Sequence, residues 1–135
     1  MEWKVAQREV VTSFIKNLQS SHTMGAPIST AIRANGFLFL SGMVPIDPAT
    51  GQLDNGTTMS ETRRILTNMK AELEAAGSSM DKVVKVNVYL ANIGEWENMN
   101  MVYREFFTKD HPARTTVGAP LSFGFKVEIE CVALA

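Results

Sequence analysis

Residues 111–117 are the part of the sequence whose residue types most directly indicate chemistry. Pro112 prevents a preceding helix from continuing, and Arg114 then stands at the start of a β-branched run. A guanidinium offers a planar fork of donors that grips a carboxylate through two hydrogen bonds, which a lysine does not. An arginine also commonly lies on an exposed surface with its stem over apolar neighbours, and the local sequence alone favours that role. Whether Arg114 binds a carboxylate therefore depends on the rest of the chain.

Other polar side chains are candidates because of their place in predicted elements. Glu128 and Glu130 share the polar face of the alternating C-terminal strand. Asn100 lies beside the inward stripe of a predicted helix, where an amide must find partners or cost free energy. Cys131 falls on the apolar strand face, so we interpret it as a small hydrophobic residue and not a nucleophile. His22 has no second ligand-type residue at helical or strand spacing, and no metal site is predicted.

Length and charge exclude several classes of protein. A chain of 135 residues predicts one domain over residues 1–135, which buries roughly two-thirds of its unfolded surface. The 13 basic residues are balanced by 14 acidic ones, so neither nucleic acid nor a membrane surface is an expected partner. The single cysteine cannot form an internal disulfide, and no apolar run is long enough for a membrane span or signal peptide. These features favour a soluble cytoplasmic protein.

The first half of the chain predicts a hairpin and a rigid loop. Residues 1–26 are the least regular segment, with an edge strand over residues 3–11 followed by a loop. Asn35-Gly36 is the typical signal for a tight hairpin between a β-branched segment and the buried strand of residues 37–41. Two prolines and a glycine within residues 44–51 are spaced for successive turns.

The second half predicts two helices and two strands. Thr58 and Glu61 match a capping box, and apolar residues then recur at helical spacing until Gly77. A second helix is predicted over residues 95–107, ended by Pro112. Between the helices, apolar and polar side chains alternate along residues 83–90, which predicts a strand. Their predicted apolar face consists of Val84, Val86, Val88 and Leu90.

This order of elements predicts an α+β fold, a mostly antiparallel sheet with both helices packed on its apolar face. The other face carries Lys85, Asn87, Tyr89, Glu128 and Glu130 beside apolar residues. Such a mixed surface suits neither full burial nor full exposure. A partner subunit, with a polar cleft between the two chains, would satisfy it.

Five segments in order resemble the reactive-intermediate deaminases, also called the Rid or YjgF-type family. They are residues 39–51, 68–77, 100–107, 112–117 and 127–133. Each is weak alone, but together they form a specific pattern from about Ala26 to the C-terminus. The resemblance implies a chorismate-mutase-like mixed α+β fold, a homotrimer with sites between subunits, and hydrolysis of reactive 2-imino acids such as 2-aminoacrylate. No cofactor or metal is implied.

The resemblance also implies roles for particular residues. Arg114 matches the arginine that clamps the substrate carboxylate, and Glu128 matches the glutamate that positions or activates water. Ser41 and Asn100 match residues that line the same pocket. Three positions depart from the family pattern: Ile28 stands where many members have a tyrosine, Thr116 where some have a cysteine, and Met43 where a glutamine follows Ser-Gly. A more apolar pocket leaves larger unsaturated imino acids, such as aminomuconate-type compounds, open as substrates. The N-terminal segment, residues 1–26, is longer than usual and could cover the cleft.

The sequence leaves three functional hypotheses open for this protein. The leading hypothesis is an enamine or imine deaminase that releases a 2-oxo acid and ammonia. The alternative is a non-catalytic trimeric binder of small carboxylates, motivated by Ile28. An RNA-acting protein ranks last, because it requires a basic stripe with aromatic residues that the balanced charge does not offer.

Overall fold

A computed structural model describes residues 7–15 and 26–135 and contains two helices and a six-stranded sheet. The strands are β1 (Glu9–Val11), β2 (Ala31–Ala34), β3 (Phe37–Met43), β4 (Val83–Leu90), β5 (Ala113–Gly118) and β6 (Val127–Leu134), and the helices are α1 (Thr58–Ala75) and α2 (Trp96–Phe106). The strand order is β1-β2-β3-β6-β4-β5. Every neighbouring pair is antiparallel except β4 and β5, which are parallel. The predicted α+β fold with a mostly antiparallel mixed sheet is confirmed.

The hairpin between β2 and β3 forms as its sequence predicts. Asn35 and Gly36 have φ angles of 51° and 80°, the left-handed pair that a two-residue hairpin turn needs. β1 then adds an edge strand by pairing Glu9–Val11 with β2. Gln7 and Arg8 belonged to the predicted edge strand but precede β1 without pairing as strand, and residues 3–6 of that prediction, with His22, lie outside the described residues.

The capping box predicted at Thr58 and Glu61 was wrong, because the N-cap of helix α1 lies one residue earlier. Thr57 is the N-cap: its hydroxyl accepts from Ser60 N at 3.0 Å, and Ser60 Oγ accepts from Thr57 N at 2.9 Å. Glu61 is instead fully buried and accepts hydrogen bonds from Gly56 N at 2.9 Å and Lys126 N at 2.6 Å. This carboxylate therefore ties the start of α1 to the approach to β6. At the other end, Gly77 adopts a φ of 85°, as predicted for a helix terminator.

Both helices pack on one face of the sheet and form the main core with it. Its fully buried members include Leu38, Leu66, Met69, Val86 and Ile129, which come from β3, α1, β4 and β6. We call the opposite side the helix-free face; it carries Phe39, Lys85, Tyr89, Glu128 and Glu130. Within the described residues, no helix combines the length and apolar character that crossing a bilayer requires.

Two irregularities in strand pairing change which side chains face the core. Between Val83 and Lys85 the register against β6 shifts, so Val83 is buried and Val84 is 40% exposed. The prediction that Val84 shares the buried face of Val86 was wrong, because a bulge interrupts the alternation. A second register shift lies between Leu40 and Met43, where β3 meets β6. It displaces Ser41 and Gly42 from regular pairing.

Candidate active site

Arg114 lies on β5 and faces the helices. Its backbone partner on β4 is Val86, a fully buried core residue, so the two side chains project from the same face of the sheet. The guanidinium carbon lies 4.7 Å from the ring centroid of Tyr103 and 5.7 Å from that of Trp96. Two aromatic faces from α2 therefore hold this cation at distances typical of cation–π contacts.

Arg114 has no carboxylate within ion-pair distance among residues 7–15 and 26–135. Four other arginines do have one: the pairs are Arg33 with Glu9, Arg63 with Glu105, Arg64 with Asp54, and Arg104 with Glu97. A half-buried guanidinium normally finds an acidic partner, because its donors are costly to leave unmet. Its hydrogen-bonding capacity is thus available to an anion that is not part of the described chain.

Three buried polar atoms around Arg114 lack hydrogen-bond partners within the described part of the chain: Asn100 Oδ1, Tyr103 Oη and Thr116 Oγ1. Asn100 and Tyr103 are on α2, and Thr116 follows Arg114 by two residues on the same face of β5. Most buried polar groups are satisfied, so three unsatisfied groups beside one cation indicate a binding site. We call Arg114, Asn100, Tyr103 and Thr116 the arginine group.

Three members of the arginine group, Arg114, Asn100 and Tyr103, border an open pocket of about 280 Å³. Its lining residues are Trp96, Asn100, Tyr103, Arg104, His111, Pro112 and Arg114. Burial raises the pKa of Tyr103 to about 12, against the opposing effect of the Arg114 charge. The phenol consequently stays protonated at physiological pH and can donate a hydrogen bond into the pocket.

Glu128 lies against the irregular part of β3 at Gly42, the residue that follows Ser41. A side chain added at Gly42 would overlap Glu128 Oε2, so the carboxyl group lies directly against the backbone at Gly42. The neighbouring Ser41 donates its hydroxyl to the Ser29 carbonyl at 2.6 Å. Ile28 precedes Ser29 and is 56% exposed. We call Glu128, Ser41 and Gly42 the glutamate group.

The pKa of the Glu128 carboxyl is raised, first by burial and second by the charge of Glu130. A carboxyl that holds its proton more tightly than usual is suited to both accepting and returning protons near neutral pH. Burial, with a smaller effect of Glu130, also raises the pKa of Cys131 to about 12. That residue is an inert core thiol, in agreement with its interpretation from the sequence.

The two groups lie on opposite faces of the sheet. Glu128 is paired with Tyr89, and Glu130 with Asn87, on the face away from the buried residues Val127 and Ile129. Arg114 and Thr116 point to the helix side. One chain thus brings together Arg114, Asn100 and Thr116, and separately Glu128, Ser41 and the exposed Ile28 nearby.

Sequence reasoning missed Tyr103, Trp96 and Gly42. Tyr103 and Trp96 belong to the apolar stripe of α2, which indicates core packing just as well as contact with a cation. From the sequence, Gly42 was recognisable only as the residue at which the predicted strand of residues 37–41 ends. In the described residues, no three histidine, cysteine, aspartate or glutamate side chains cluster closely enough to hold a metal ion.

Comparison with known proteins gives consistent matches along most of the chain. A family model described as endoribonuclease L-PSP matches residues 11–135. The mitochondrial protein mmf1 of Schizosaccharomyces pombe is 43% identical over 112 residues, which cover 80% of this chain and 68% of that protein. A 2-iminobutanoate/2-iminopropanoate deaminase of Dermatophagoides farinae is 38% identical over 107 residues, covering 78% and 84%. A conserved Rid-family structure from Yersinia pestis is 36% identical with a TM-score of 0.85, covering 96% of this chain and 100% of that one.

Proposed function

Because this chain belongs to the endoribonuclease L-PSP family, which includes the Rid (YjgF-type) proteins, we propose that it is an enamine and imine deaminase. Its substrates are reactive 2-imino acids, either of the 2-aminoacrylate type or larger unsaturated ones, and its products are a 2-oxo acid and ammonia. The observation that carries this proposal is Arg114, a half-buried guanidinium beside three unpartnered polar atoms. The Dermatophagoides farinae relative adds support, since it is named as a 2-iminobutanoate/2-iminopropanoate deaminase, the same reaction class.

Arg114 binds the substrate carboxylate through its fork of donors, and Asn100 and Thr116 complete the polar lining. Fixing the carboxylate also fixes the adjacent imine carbon, so orientation contributes to the rate. An imine carbon accepts water readily, and the protein needs little beyond a proton acceptor at the attacking water.

Glu128 takes a proton from this water as its oxygen bonds to the carbon of the protonated imine, and the carbon–nitrogen π electrons move to nitrogen, which gives a tetrahedral amino alcohol. Glu128 then returns that proton to the amine nitrogen. The carbon–nitrogen bond breaks to release ammonia while the carbon–oxygen double bond forms, and the hydroxyl proton passes to the Glu128 carboxylate. A carboxyl group with a raised pKa can serve in both steps, first as base and then as acid.

The arginine group and the glutamate group cannot act on one small molecule within a single chain, because the sheet separates them. We therefore place each site between subunits, with Arg114 from one copy and Glu128 from its neighbour, in the homotrimer that the resemblance implies. The helix-free face has the composition of an interface: Phe39 and Leu134 are each 45% exposed beside the polar residues.

A non-catalytic binder of small carboxylates is the second candidate, favoured by Ile28, which cannot supply a hydroxyl. Titration calorimetry with simple 2-oxo acids separates the two functions. Binding that depends on Arg114, with no turnover of any imino acid, would favour the binder. An RNA-acting role has less support, because four described arginines are paired with carboxylates and the net charge is −1.

The test of the deaminase proposal uses imino acids generated in situ by an amino acid oxidase. Release of 2-oxo acid and ammonia from 2-iminopropionate and longer analogues should be faster with the protein than without it, and Arg114→Ala should remove the acceleration. Arg63→Ala is the matched control, since Arg63 is an arginine outside this pocket that is paired with Glu105. Equal rates for the parent and Arg114→Ala with every imino acid would exclude the clamp.

Further expectations concern the ligand and partners of this protein and its location in the cell. We expect a small imino or oxo acid as the ligand and neither nucleic acid nor a membrane as a partner. Localisation to the cytoplasm stays a prediction, since the Schizosaccharomyces pombe relative is named as mitochondrial.

A further inference from the structure

We propose that Glu130 is a positioning residue for Glu128: it engages the Tyr89 hydroxyl and lies beside Glu128 as a like charge, so that the Glu128 carboxyl group stays unbonded. This role rests on the function proposed above for Glu128 at the attacking water. Glu130 is not assigned contact with the substrate, because it acts through Glu128.

The strand register makes the arrangement specific. Tyr89 on β4 lies directly opposite Glu128 on β6, whereas Glu130 lies opposite Asn87. Directly opposed side chains are the ordinary contacts across a sheet. The Tyr89 hydroxyl nevertheless donates to Glu130 Oε1, its diagonal neighbour. The phenol that is best placed to bond Glu128 is thus engaged by Glu130.

Glu128 is left without a hydrogen-bond donor from the described residues. Its carboxyl group instead lies against Gly42, where any larger residue would displace it. The only ammonium of the described β4 is Lys85, which donates to Thr115 Oγ1 at 3.0 Å. β3, the other strand beside β6, contains no ionisable residue. The groups that face Glu128 are therefore Glu130 on its own strand and Tyr89 and Lys85 on β4.

This setting has a chemical consequence for the proposed reaction. A carboxylate saturated by donors is a weak base, because hydrogen bonds stabilise its charged form. An unbonded carboxyl group that is half-buried next to Glu130 holds its proton more tightly, in line with its raised pKa. Glu130 in turn raises the pKa of Tyr89, chiefly through their hydrogen bond, so the phenol remains a donor.

The experiment measures the pKa of Glu128 directly and does not need turnover. The whole protein is labelled with ¹³C at the glutamate carboxyl carbons and titrated by NMR, and the Glu128 signal is assigned from its absence in Glu128→Gln. In Glu130→Gln the Tyr89 hydroxyl keeps an oxygen acceptor but the like charge is gone. We expect the pKa of Glu128 to fall by about 0.5 to 1 unit, since a nearby like charge disfavours ionisation.

Two further variants make the result interpretable. Tyr89→Phe keeps the Glu130 charge, so the pKa of Glu128 should stay raised. Glu74→Gln, at an exposed position on α1, removes the same charge elsewhere and should leave the pKa of Glu128 unchanged. An unchanged Glu128 pKa in Glu130→Gln would overturn the positioning role, as would a fall of equal size in Glu74→Gln.

Kinetics separate this role from the proposed function. If the protein is a deaminase, the acidic limb of its kcat/KM profile should move to lower pH in Glu130→Gln and stay in place in Glu74→Gln. If no imino acid is turned over, the proposed function fails while the NMR titration still decides whether Glu130 sets the pKa of Glu128.

Discussion

Arg114 and Glu128 project from opposite faces of the same sheet. The backbone partner of Arg114 is the buried core residue Val86, whereas Glu128 is paired with Tyr89 on the helix-free face. A carboxylate clamp and a water-activating carboxyl group must reach the same few atoms of a small substrate. If both act in one reaction, each site has to combine two copies of the chain.

Replacing Arg114 by lysine should weaken catalysis even though the charge is kept. Lysine cannot form the bidentate contact or stack its head group between Tyr103 and Trp96. One charge-assisted hydrogen bond is worth about 1.5–3 kcal/mol, so we expect kcat/KM to fall roughly 10- to 100-fold. Steady-state kinetics on 2-iminopropionate measure the effect, with Arg63→Lys, outside the pocket, as the control. A loss of less than about threefold would argue against bidentate binding.

Removing the Tyr103 hydroxyl should not destabilise the free protein. Tyr103 Oη is buried without a partner in the described chain, and such a group costs free energy rather than contributing it. We expect the free energy of unfolding of Tyr103→Phe, measured with urea, to be unchanged or higher by about 1 kcal/mol. Deaminase activity should fall if the hydroxyl binds substrate. A marked loss of stability would instead assign the hydroxyl a structural hydrogen bond.

Restoring a tyrosine at residue 28 should change substrate preference. Ile28 is 56% exposed, so the larger ring can be accommodated in the isolated chain. If residue 28 borders the proposed shared site, a phenol hydroxyl there favours small, polar imino acids, and kcat/KM for 2-iminopropionate should rise relative to larger unsaturated substrates. Competition between two imino acids measures the ratio. Val10→Tyr, at a residue that is 58% exposed, serves as the control, and an equal ratio in both variants would contradict the placement of Ile28 at the site.

Glu61→Gln should lower the free energy of unfolding and leave the residues of the candidate active site unchanged. Both Glu61 carboxylate oxygens accept backbone hydrogen bonds, from Gly56 N and Lys126 N, and a glutamine would set an amide donor against one of these donors. Leaving a buried donor unsatisfied costs about 1–3 kcal/mol in the free energy of unfolding. Urea denaturation measures this cost, with the exposed Glu74→Gln as reference. Equal stability of the two variants would show that the carboxylate is dispensable.

Local signals in the sequence predicted the elements well. The Asn35-Gly36 turn, the end of α1 at Gly77 and the alternation of β6 each depend on neighbouring residues, so they can be read without the fold. The helix start was placed one residue late because Thr57 and Thr58 are both suitable caps, and sequence spacing does not separate them.

Features that depend on partners in space could not be predicted. Val84 leaves the core because of a bulge against β6, which the sequence of β4 alone does not encode. The aromatic contacts of Arg114 with Tyr103 and Trp96 join residues of β5 and α2 that the sequence alone does not bring together. The face on which Arg114 lies likewise follows from the parallel pairing of β5 with β4, so its separation from Glu128 emerges only in three dimensions.

The most direct test of the shared site is complementation between two inactive variants. Arg114→Ala and Glu128→Gln should each lose deaminase activity. After the two are denatured together at equal concentrations and refolded, random assembly should give about a quarter of the sites an intact Arg114 and an intact Glu128 from different copies. We predict recovery of about a quarter of the parent activity on this basis. Recovery to no more than the sum of the separately refolded variants, despite demonstrated mixing of the chains, would contradict a site shared between subunits.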